Sequence, residues 1–195
     1  MQRACTKVLN CKTINNKYLD TEDAGIKMAC ADLFKGGLRL LDRPQELATN
    51  KIGANELMAF SLHSIEYCDL ILETFSTTPL ITDETIDYSV NYFLDHRDDH
   101  DSFFTVSRIQ EYFWHAGRPL NFDPKVLPNS CELMPYLMET HGLYGIFSET
   151  FLECKTRIGK NPMLIEIPKI EAFDIDTVED LEIVEKLINA KEGNI

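Results

Sequence analysis

The stretch MLIEI (residues 163–167), followed shortly by AFDIDTVEDL (residues 172–181), decides the fold of this chain. The first segment is short, apolar and partly β-branched, which predicts a buried strand. The second ends in an amphipathic pattern with capping-box spacing from Thr177, which predicts that a helix begins there. Residues two apart in an extended chain point to the same side. The carboxylates of Asp174 and Asp176 are therefore expected to reach one point, between the end of the strand and the start of the helix.

Two carboxylates at such a junction form a candidate metal site. Carboxylate oxygens suit a hard cation such as Mg²⁺, which keeps several waters and bridges to substrate phosphates. The alternative is that Asp176 or Thr177 only caps the following helix, because both residue types are favoured at that position. The sequence predicts Asp174 and Asp176 as metal ligands and catalytic residues, and the capping alternative stays open.

Strand and helix patterns alternate along the rest of the chain. This alternation predicts an α/β fold, a doubly wound and mostly parallel sheet with helices on both faces, in a single domain over residues 1–195. The segment at about 108–140 is rich in Pro, Asn and aromatic residues and is expected to leave the sheet as a dimerisation excursion. The predicted strands begin near Lys17, Leu38, Asp69, Ser102, Leu143 and Met163.

Composition and charge exclude several classes of protein. The chain has 195 residues, 44% hydrophobic and 26% charged, which suits one globular domain and not a disordered or fibrous chain. No stretch approaches the roughly 20 apolar residues of a membrane span, and the N-terminus is too polar for a signal peptide. A net charge of −13 disfavours nucleic acid and anionic membranes as partners. Six cysteines without a CxxC pair argue against zinc and redox motifs and predict reduced thiols in the cytoplasm.

Several short strings carry a family resemblance. The strings are LDRPQELA (41–48), ETFSTTPLI (73–81), FTVS (104–107), GRPL (117–120), RIGKNP (157–162), and EIP (166–168) leading to FDIDT (173–177). In their order and spacing, over about residues 16–187, they resemble the acylneuraminate cytidylyltransferases (CMP-sialic acid synthetase-like proteins).

The resemblance implies a nucleotide-diphospho-sugar transferase-like fold and a nucleotidyltransferase activity. CTP and an acidic keto sugar would be joined into a CMP-sugar with release of pyrophosphate. In relatives, the aspartates that match Asp174 and Asp176 hold Mg²⁺ on the triphosphate, and the excursion completes the sugar site in a homodimer. The resemblance places Thr77 and Thr78 at the sugar pocket. We also predict Arg43 and Asn55 on the nucleotide side. Arg118 and Arg157 are predicted near the anionic ligands, and the alternative is that these two arginines only keep the surface soluble.

The chain departs from the family pattern at its start and at Glu73. Members of the family begin with a strand and a loop rich in Arg, Lys, Gly and Ser that cradles the CTP phosphates, and no such material precedes Tyr18. We therefore expect an N-terminally truncated domain, or an incomplete reading of a longer product, with weakened CTP binding and slow or absent catalysis. The strands near Lys17 and Asp69 would re-pair with each other or leave open edges. Glu73 stands where many relatives have an amide and would repel a sugar carboxylate.

Two other functions stay open at this point. One is a non-catalytic, truncated homologue that binds a partner through the excursion and an open sheet edge. The other is a related nucleotidyltransferase that uses a base other than cytosine. The acidic and histidine-containing tract 95–101 resembles a metal site, but a charge run after an amphipathic helix usually faces water.

Overall fold

The computed structural model describes residues 1–192, so the last three residues of the predicted domain 1–195 lie outside the described ones. The helices are α1 (Gln2–Asn10), α2 (Ala24–Ala29), α3 (Ala31–Lys35), α4 (Ala54–Ser64), α5 (Asp83–Asp95), α6 (Ser148–Cys154) and α7 (Val178–Glu192). The strands are β1 (Lys17–Thr21), β2 (Leu38–Asp42), β3 (Leu70–Glu73), β4 (Ser102–Ile109), β5 (Trp114–His115), β6 (Arg118–Pro119), β7 (Tyr136–Phe147) and β8 (Pro162–Glu166).

The strands pair in both directions. The central sheet has four strands in the order β3-β7-β4-β8, and β7 runs antiparallel to both of its neighbours while β4 and β8 are parallel. A parallel pair, β1 with β2, forms a second sheet, and β5 with β6 forms a short hairpin. The α/β class is confirmed, but the prediction of a mostly parallel sheet is corrected to a mixed one.

The antiparallel strand follows from the connection that precedes it. Residues 110–135 leave the end of β4 and return to its side without a crossover helix, and a return of that kind aligns the next strand antiparallel. The sequence pattern predicts only residues 143–147 of β7, whereas the strand begins at Tyr136. Residues 136–142 were missed because their face toward solvent carries apolar side chains, so the alternation of polar and apolar residues is weak there.

Strands β1 and β3 do not pair with each other. Within residues 1–192, β1 pairs only with β2 and β3 pairs only with β7, so each of the two strands keeps one unpaired edge. Of the two outcomes expected from the sequence, the open edges are the one found in the described part of the chain.

Helix α5 and strand β4 form the centre of the core. The Thr82 side chain accepts a hydrogen bond from the backbone N–H of Thr85 and caps α5, as its Ser/Thr-type position predicts. The Phe93 and Phe103 rings are fully buried with centroids 4.9 Å apart. The apolar residues that share this cluster are Cys11, Ile81, Ile86, Val90, Leu143, Met163 and Ile165.

The capping box predicted at the start of α7 is confirmed, because Thr177 Oγ1 accepts from Asp180 N at 3.2 Å and Asp180 Oδ2 accepts from Thr177 N at 2.8 Å. Helices α2 and α3 meet at Cys30. None of the helices formed by residues 1–192 has the length and apolar character that a bilayer crossing demands.

Candidate functional site

The loop after β8 is fastened to the segment after β3. Ile175 N donates a hydrogen bond to the Thr77 carbonyl oxygen at 2.9 Å, and Ile167 N donates to Val106 O at 2.9 Å. These bonds hold Asp174 at the carboxyl edge of the central sheet, next to Thr77. The structure therefore places the loop that carries Asp174 beside Thr77.

Asp174 is paired with a histidine from β7. His141 Nδ1 lies 2.6 Å from Asp174 Oδ2, and the two side chains are 50% and 20% exposed. A carboxylate only accepts hydrogen bonds, so His141 Nδ1 carries the proton and Nε2 is the ring nitrogen left to other partners. The pair joins the sheet to the loop after β8 and fixes the direction of the Asp174 carboxylate.

Asp176 lies on the exposed side of the same loop. Its backbone N–H donates to Asp180 Oδ2 at 3.3 Å, so its main chain contributes to the start of α7. Among the residues that the structure describes, no three His, Cys, Asp or Glu side chains are arranged to hold a metal ion. Two carboxylates still match the preference of Mg²⁺, which binds through one or two protein carboxylates and keeps water ligands. The donor chemistry of Asp174 and Asp176 therefore fits Mg²⁺, with His141 as the hydrogen-bond partner that orients one ligand.

The two threonines predicted at the sugar pocket lie in different environments. Thr77 is exposed. Thr78 is fully buried, and its hydroxyl lies 3.0 Å from Phe75 O and 3.1 Å from His141 O. In the described structure the Thr78 hydroxyl therefore holds the backbone of His141, and contact of either threonine with a sugar stays a prediction.

Two of the three predicted arginines, Arg43 and Arg157, lie in ion pairs. Arg43 Nε is 3.0 Å from Asp20 Oδ1, and Arg43 Nη1 is 3.6 Å from Glu22 Oε2. Asn55 Oδ1 accepts from the backbone N–H of Arg157 at 2.9 Å, so Asn55 positions the loop that carries Arg157.

Arg157 is the centre of a buried cluster. Its Nη1 is 3.2 Å from Glu73 Oε2, and its Nη2 is 3.9 Å from Glu139 Oε1. The guanidinium carbon lies 3.8 Å from the Tyr144 ring centroid and 5.5 Å from the Phe75 ring centroid. Ion pairing and stacking together hold the guanidinium in one orientation.

Burial shifts the acidities in this cluster. Burial raises the pKa of Glu73, the Arg157 guanidinium opposes that rise, and the nearby Asp20 carboxylate adds to it. Burial also raises the pKa of Tyr144, together with the hydrogen bond that its hydroxyl donates to Glu139 at 2.7 Å. Both shifts have burial as their largest cause, so charge interactions around Arg157 are stronger than on the open surface.

Arg118 lies in the β5–β6 hairpin, opposite His115, and no described contact links it to the residues around Asp174. The tract 95–101 also lies apart from the cleft. His96 Nδ1 bonds to Tyr92 O and His100 Nδ1 bonds to Asn161 O, so both imidazoles are occupied by backbone oxygens.

A cleft of about 250 Å³ opens beside Asp174. Lys169 stands at its wall and supplies a positive charge near the predicted metal ligand. The other lining residues are Ser107, Ile109, Met138, Ala172 and Phe173.

Sequence reasoning missed much of the site. His141 lies within β7 and pairs with the predicted ligand Asp174, although none of the motifs quoted from the sequence includes it. Phe75, Glu139 and Tyr144 carried no motif signal of their own, although Phe75 lies within the string that supports the resemblance. A search for polar residues on the β7 side facing Asp174 would have found His141, but it required the strand to be known.

The described fold has solved counterparts. No protein-family model and no curated protein matches the chain. A CMP:2-keto-3-deoxy-manno-octonic acid synthetase complexed with CTP is similar at 14% identity, with a TM-score of 0.63 over 97% of this chain and 87% of that one. A 4-diphosphocytidyl-2C-methyl-D-erythritol synthase from Anaerococcus prevotii is similar at 11% identity, with a TM-score of 0.65 over 96% and 85%. A cytidylyltransferase from Leptospira borgpetersenii is similar at 14% identity, with a TM-score of 0.55 over 97% and 75%. At these identities the likeness shows that the chain has the fold of these cytidylyltransferases.

Proposed function

We propose that the protein is a cytidylyltransferase that transfers CMP from CTP to the hydroxyl of a sugar. One observation carries the proposal. Asp174 lines the cleft, where His141 holds its carboxylate and Thr77 lies beside its loop. The fold that carries this site is shared with three proteins whose names refer to CMP, diphosphocytidyl or cytidylyl groups, and one of them is complexed with CTP. The sequence resemblance, reached from separate motifs, supports the same reaction.

The reaction needs positioning and charge neutralisation more than a protein nucleophile. The acceptor hydroxyl oxygen forms a bond to the α-phosphorus of CTP, the bond from that phosphorus to the bridging oxygen breaks, pyrophosphate leaves, and the hydroxyl proton passes to solvent. Asp174 and Asp176 would hold Mg²⁺, which when bound supplies neutralisation of the phosphate charge. His141 would keep the Asp174 carboxylate in place, and Lys169 would face the phosphates from the wall of the cleft.

A pyrophosphate-release assay tests the proposal. CTP is compared with UTP, GTP and ATP, with Mg²⁺ or with EDTA, and the acceptor panel includes the acidic keto sugar that the resemblance implies. We expect release with CTP and Mg²⁺, and a loss of about 10²-fold or more in Asp174→Asn and Asp176→Asn, as is typical when a group that stabilises charge in the transition state is removed. Asp98→Asn, an exposed carboxylate outside the cleft, is the matched control. Turnover that survives both cleft substitutions would remove the metal-ligand assignment.

A second function is favoured by the surface of the chain. Strands β1 and β3 keep unpaired edges within residues 1–192, and several apolar side chains are exposed along the predicted excursion at about 108–140. Exposed apolar surface and unpaired strand edges are typical of association sites, so the predicted homodimer belongs to the proposal in either case. The exposed apolar residues are Tyr112, Trp114, Leu120, Val126, Leu127, Met134, Tyr136, Leu137 and Met138.

Calorimetry with CTP separates the enzyme from a non-catalytic, partner-binding protein. A dissociation constant in the micromolar range would exclude the non-catalytic alternative, whereas no detectable binding with Mg²⁺ present would favour it. Light scattering coupled to gel filtration measures the oligomeric state in the same samples. A monomer at micromolar concentration would contradict the predicted homodimer.

A further inference from the structure

Ser107 is a buried serine whose hydroxyl the fold does not use. The residue is only 1% exposed, and its hydroxyl forms no hydrogen bond with any other residue of the described chain. Buried polar groups are normally hydrogen-bonded, and the other two buried hydroxyls of β4 follow this rule. Thr105 Oγ1 lies 2.6 Å from Thr140 Oγ1, and Ser102 Oγ donates to Asp101 Oδ1 at 3.0 Å. Ser107 is therefore the exception on its strand.

The Ser107 hydroxyl faces the cleft beside Asp174. Ser107 lines this cleft, and its oxygen, although it lacks a partner in the described chain, is not among the fully enclosed polar atoms. Met138 lies opposite Ser107 in the pairing of β4 with β7, so the two side chains point to the same face of the sheet. Ile109 follows two positions later and shares that face. The floor of the cleft is thus one hydroxyl beside two apolar side chains.

The opposite wall of the cleft comes from the loop after β8. Ala172 is buried and Phe173 is half-buried, and both line the cleft together with the charged residues Lys169 and Asp174. A mostly apolar wall with a few polar groups is the usual composition of a small-molecule site. The cleft volume of about 250 Å³ is below the roughly 300–1,000 Å³ of sites that enclose a whole drug-sized ligand. The cleft therefore takes one part of a substrate.

The floor of the cleft limits which part of a substrate can enter. A nucleobase edge or a fully hydroxylated sugar edge presents several polar atoms, and each of them needs a partner when it loses water. Ser107 offers a single hydroxyl, whereas Ile109 and Met138 beside it offer no polar side-chain atom. An edge with one hydroxyl fits, because that group bonds to Ser107 Oγ while its bare carbon neighbours contact the two apolar side chains. Hydroxyls both donate and accept, so the pair is satisfied in either direction.

We propose that Ser107 determines the specificity for the acceptor by binding one hydroxyl on an edge that is otherwise apolar. The ligand class is a ring or chain alcohol whose buried carbons carry no second polar group. The identification of this ligand as the acceptor rests on the proposed function. The binding preference of the cleft rests on Ser107 and its neighbours alone.

Protein-observed NMR titrations test the preference without catalysis. The probes share one ring size: tetrahydropyran has no hydroxyl, tetrahydropyran-4-ol has one, and glucose is hydroxylated around its ring. We expect tetrahydropyran-4-ol to bind about two- to tenfold tighter than either of the other probes, the range that one net hydrogen bond supplies. The amide signals of Ile109 and Ala172 should shift during the titration, because both residues line the cleft.

Two serine variants separate a ligand contact from a role in folding. Ser107→Ala should remove the advantage of tetrahydropyran-4-ol over tetrahydropyran. It should not lower the urea midpoint of unfolding, because the hydroxyl has no hydrogen bond within the described chain to lose. A midpoint lower by about 0.5 M or more would assign the hydroxyl to the fold and overturn the inference. Ser130→Ala, an exposed serine that does not line the cleft, is the matched control and should change neither quantity.

Several binding results would contradict the inference. They are equal or tighter binding of tetrahydropyran or glucose, binding that leaves the amide signals of the cleft unshifted, and a preference that Ser107→Ala does not alter. Failure of all three probes to bind also contradicts it and needs no variant.

The kinetic assay distinguishes failure of the inference from failure of the proposed function. In the pyrophosphate-release assay, Ser107→Ala should raise the KM for the best acceptor about two- to tenfold and leave the KM for CTP unchanged. An unchanged acceptor KM would overturn the inference alone. A hydroxyl preference in the binding assay without any pyrophosphate release from CTP would overturn the proposed function alone.

Discussion

Replacement of Gly145 by alanine is expected to destabilise the protein strongly, because β7 crosses the ring of Phe103 at that residue. A Cβ at position 145 would lie 2.7 Å from both Cδ1 and Cζ of Phe103 and closer still to Cε1. Carbon atoms pack best at about 3.5–4.0 Å, so the ring would have to move by about 1 Å. It has no free space for that move, since Phe103 is fully buried and lies against Phe93.

Overpacking of a core by one methyl group costs about 1–3 kcal/mol, and the fixed ring favours the upper half of that range. With a urea slope of about 2 kcal/mol per molar, the midpoint of unfolding should fall by about 1 M. Circular dichroism across a urea titration measures this shift. The comparison variant is Gly142→Ala, whose Cβ would approach Ile81 Cδ1 and Thr105 Oγ1 at the milder distance of 3.1 Å.

A second substitution tests the assigned cause. If the Phe103 ring is responsible, Phe103→Leu should cost less in the Gly145→Ala background than in the wild type, since contacting residues couple in double-mutant cycles. The reasoning would be refuted if the urea midpoint of Gly145→Ala lay within about 0.2 M of the wild-type midpoint, which corresponds to less than about 0.5 kcal/mol on the same slope. Additive effects of the two substitutions would also refute it.

Two other predictions concern titratable groups. Burial alone would raise the pKa of Asp87, but hydrogen bonds from the Thr13 hydroxyl and from two backbone N–H groups lower this pKa overall. The Asp87 carboxylate therefore stabilises the folded protein at pH values above its unfolded-state pKa. This stabilisation is lost as the pH falls through the folded-state pKa. Asp87→Asn should flatten the loss of stability on acidification below about pH 4 in urea titrations, and an unchanged slope would contradict this account. Burial raises the pKa of the Cys11 thiol to about 12, whereas Cys131 is exposed. Iodoacetamide at pH 8 should therefore modify Cys131 before Cys11 in a mass-spectrometric time course. Equal rates of modification would contradict the burial of Cys11.

The sequence was informative where a pattern is local. Capping residues such as Thr82 and Thr177 act on backbone groups within three or four positions, and each cap was found where its residue type predicts. The apolar segments at 70–72 and 163–165 form strands, as their short apolar sequences predict, although β8 is buried on one face only and Leu164 is exposed.

The direction and length of β7 were not available from local patterns. Its pairing with β4 depends on how residues 110–135 return, and its first half carries no polar–apolar alternation. His141 lies within β7, and its partner Asp174 lies 33 positions away in the chain. The charge partners of Arg157 are likewise remote, with Glu73 separated from it by 84 positions.

The sequence by itself determined the alternation of helices and strands, the α/β class, and the place of Asp174 and Asp176 between the last strand and the last helix. Each of these follows from residue type, periodicity or capping within a few positions. Only the tertiary structure decided that β7 is antiparallel, that Thr78 is buried, and that Arg43 and Arg157 are paired with carboxylates. Those properties depend on contacts between residues far apart in the chain, and no local preference encodes them.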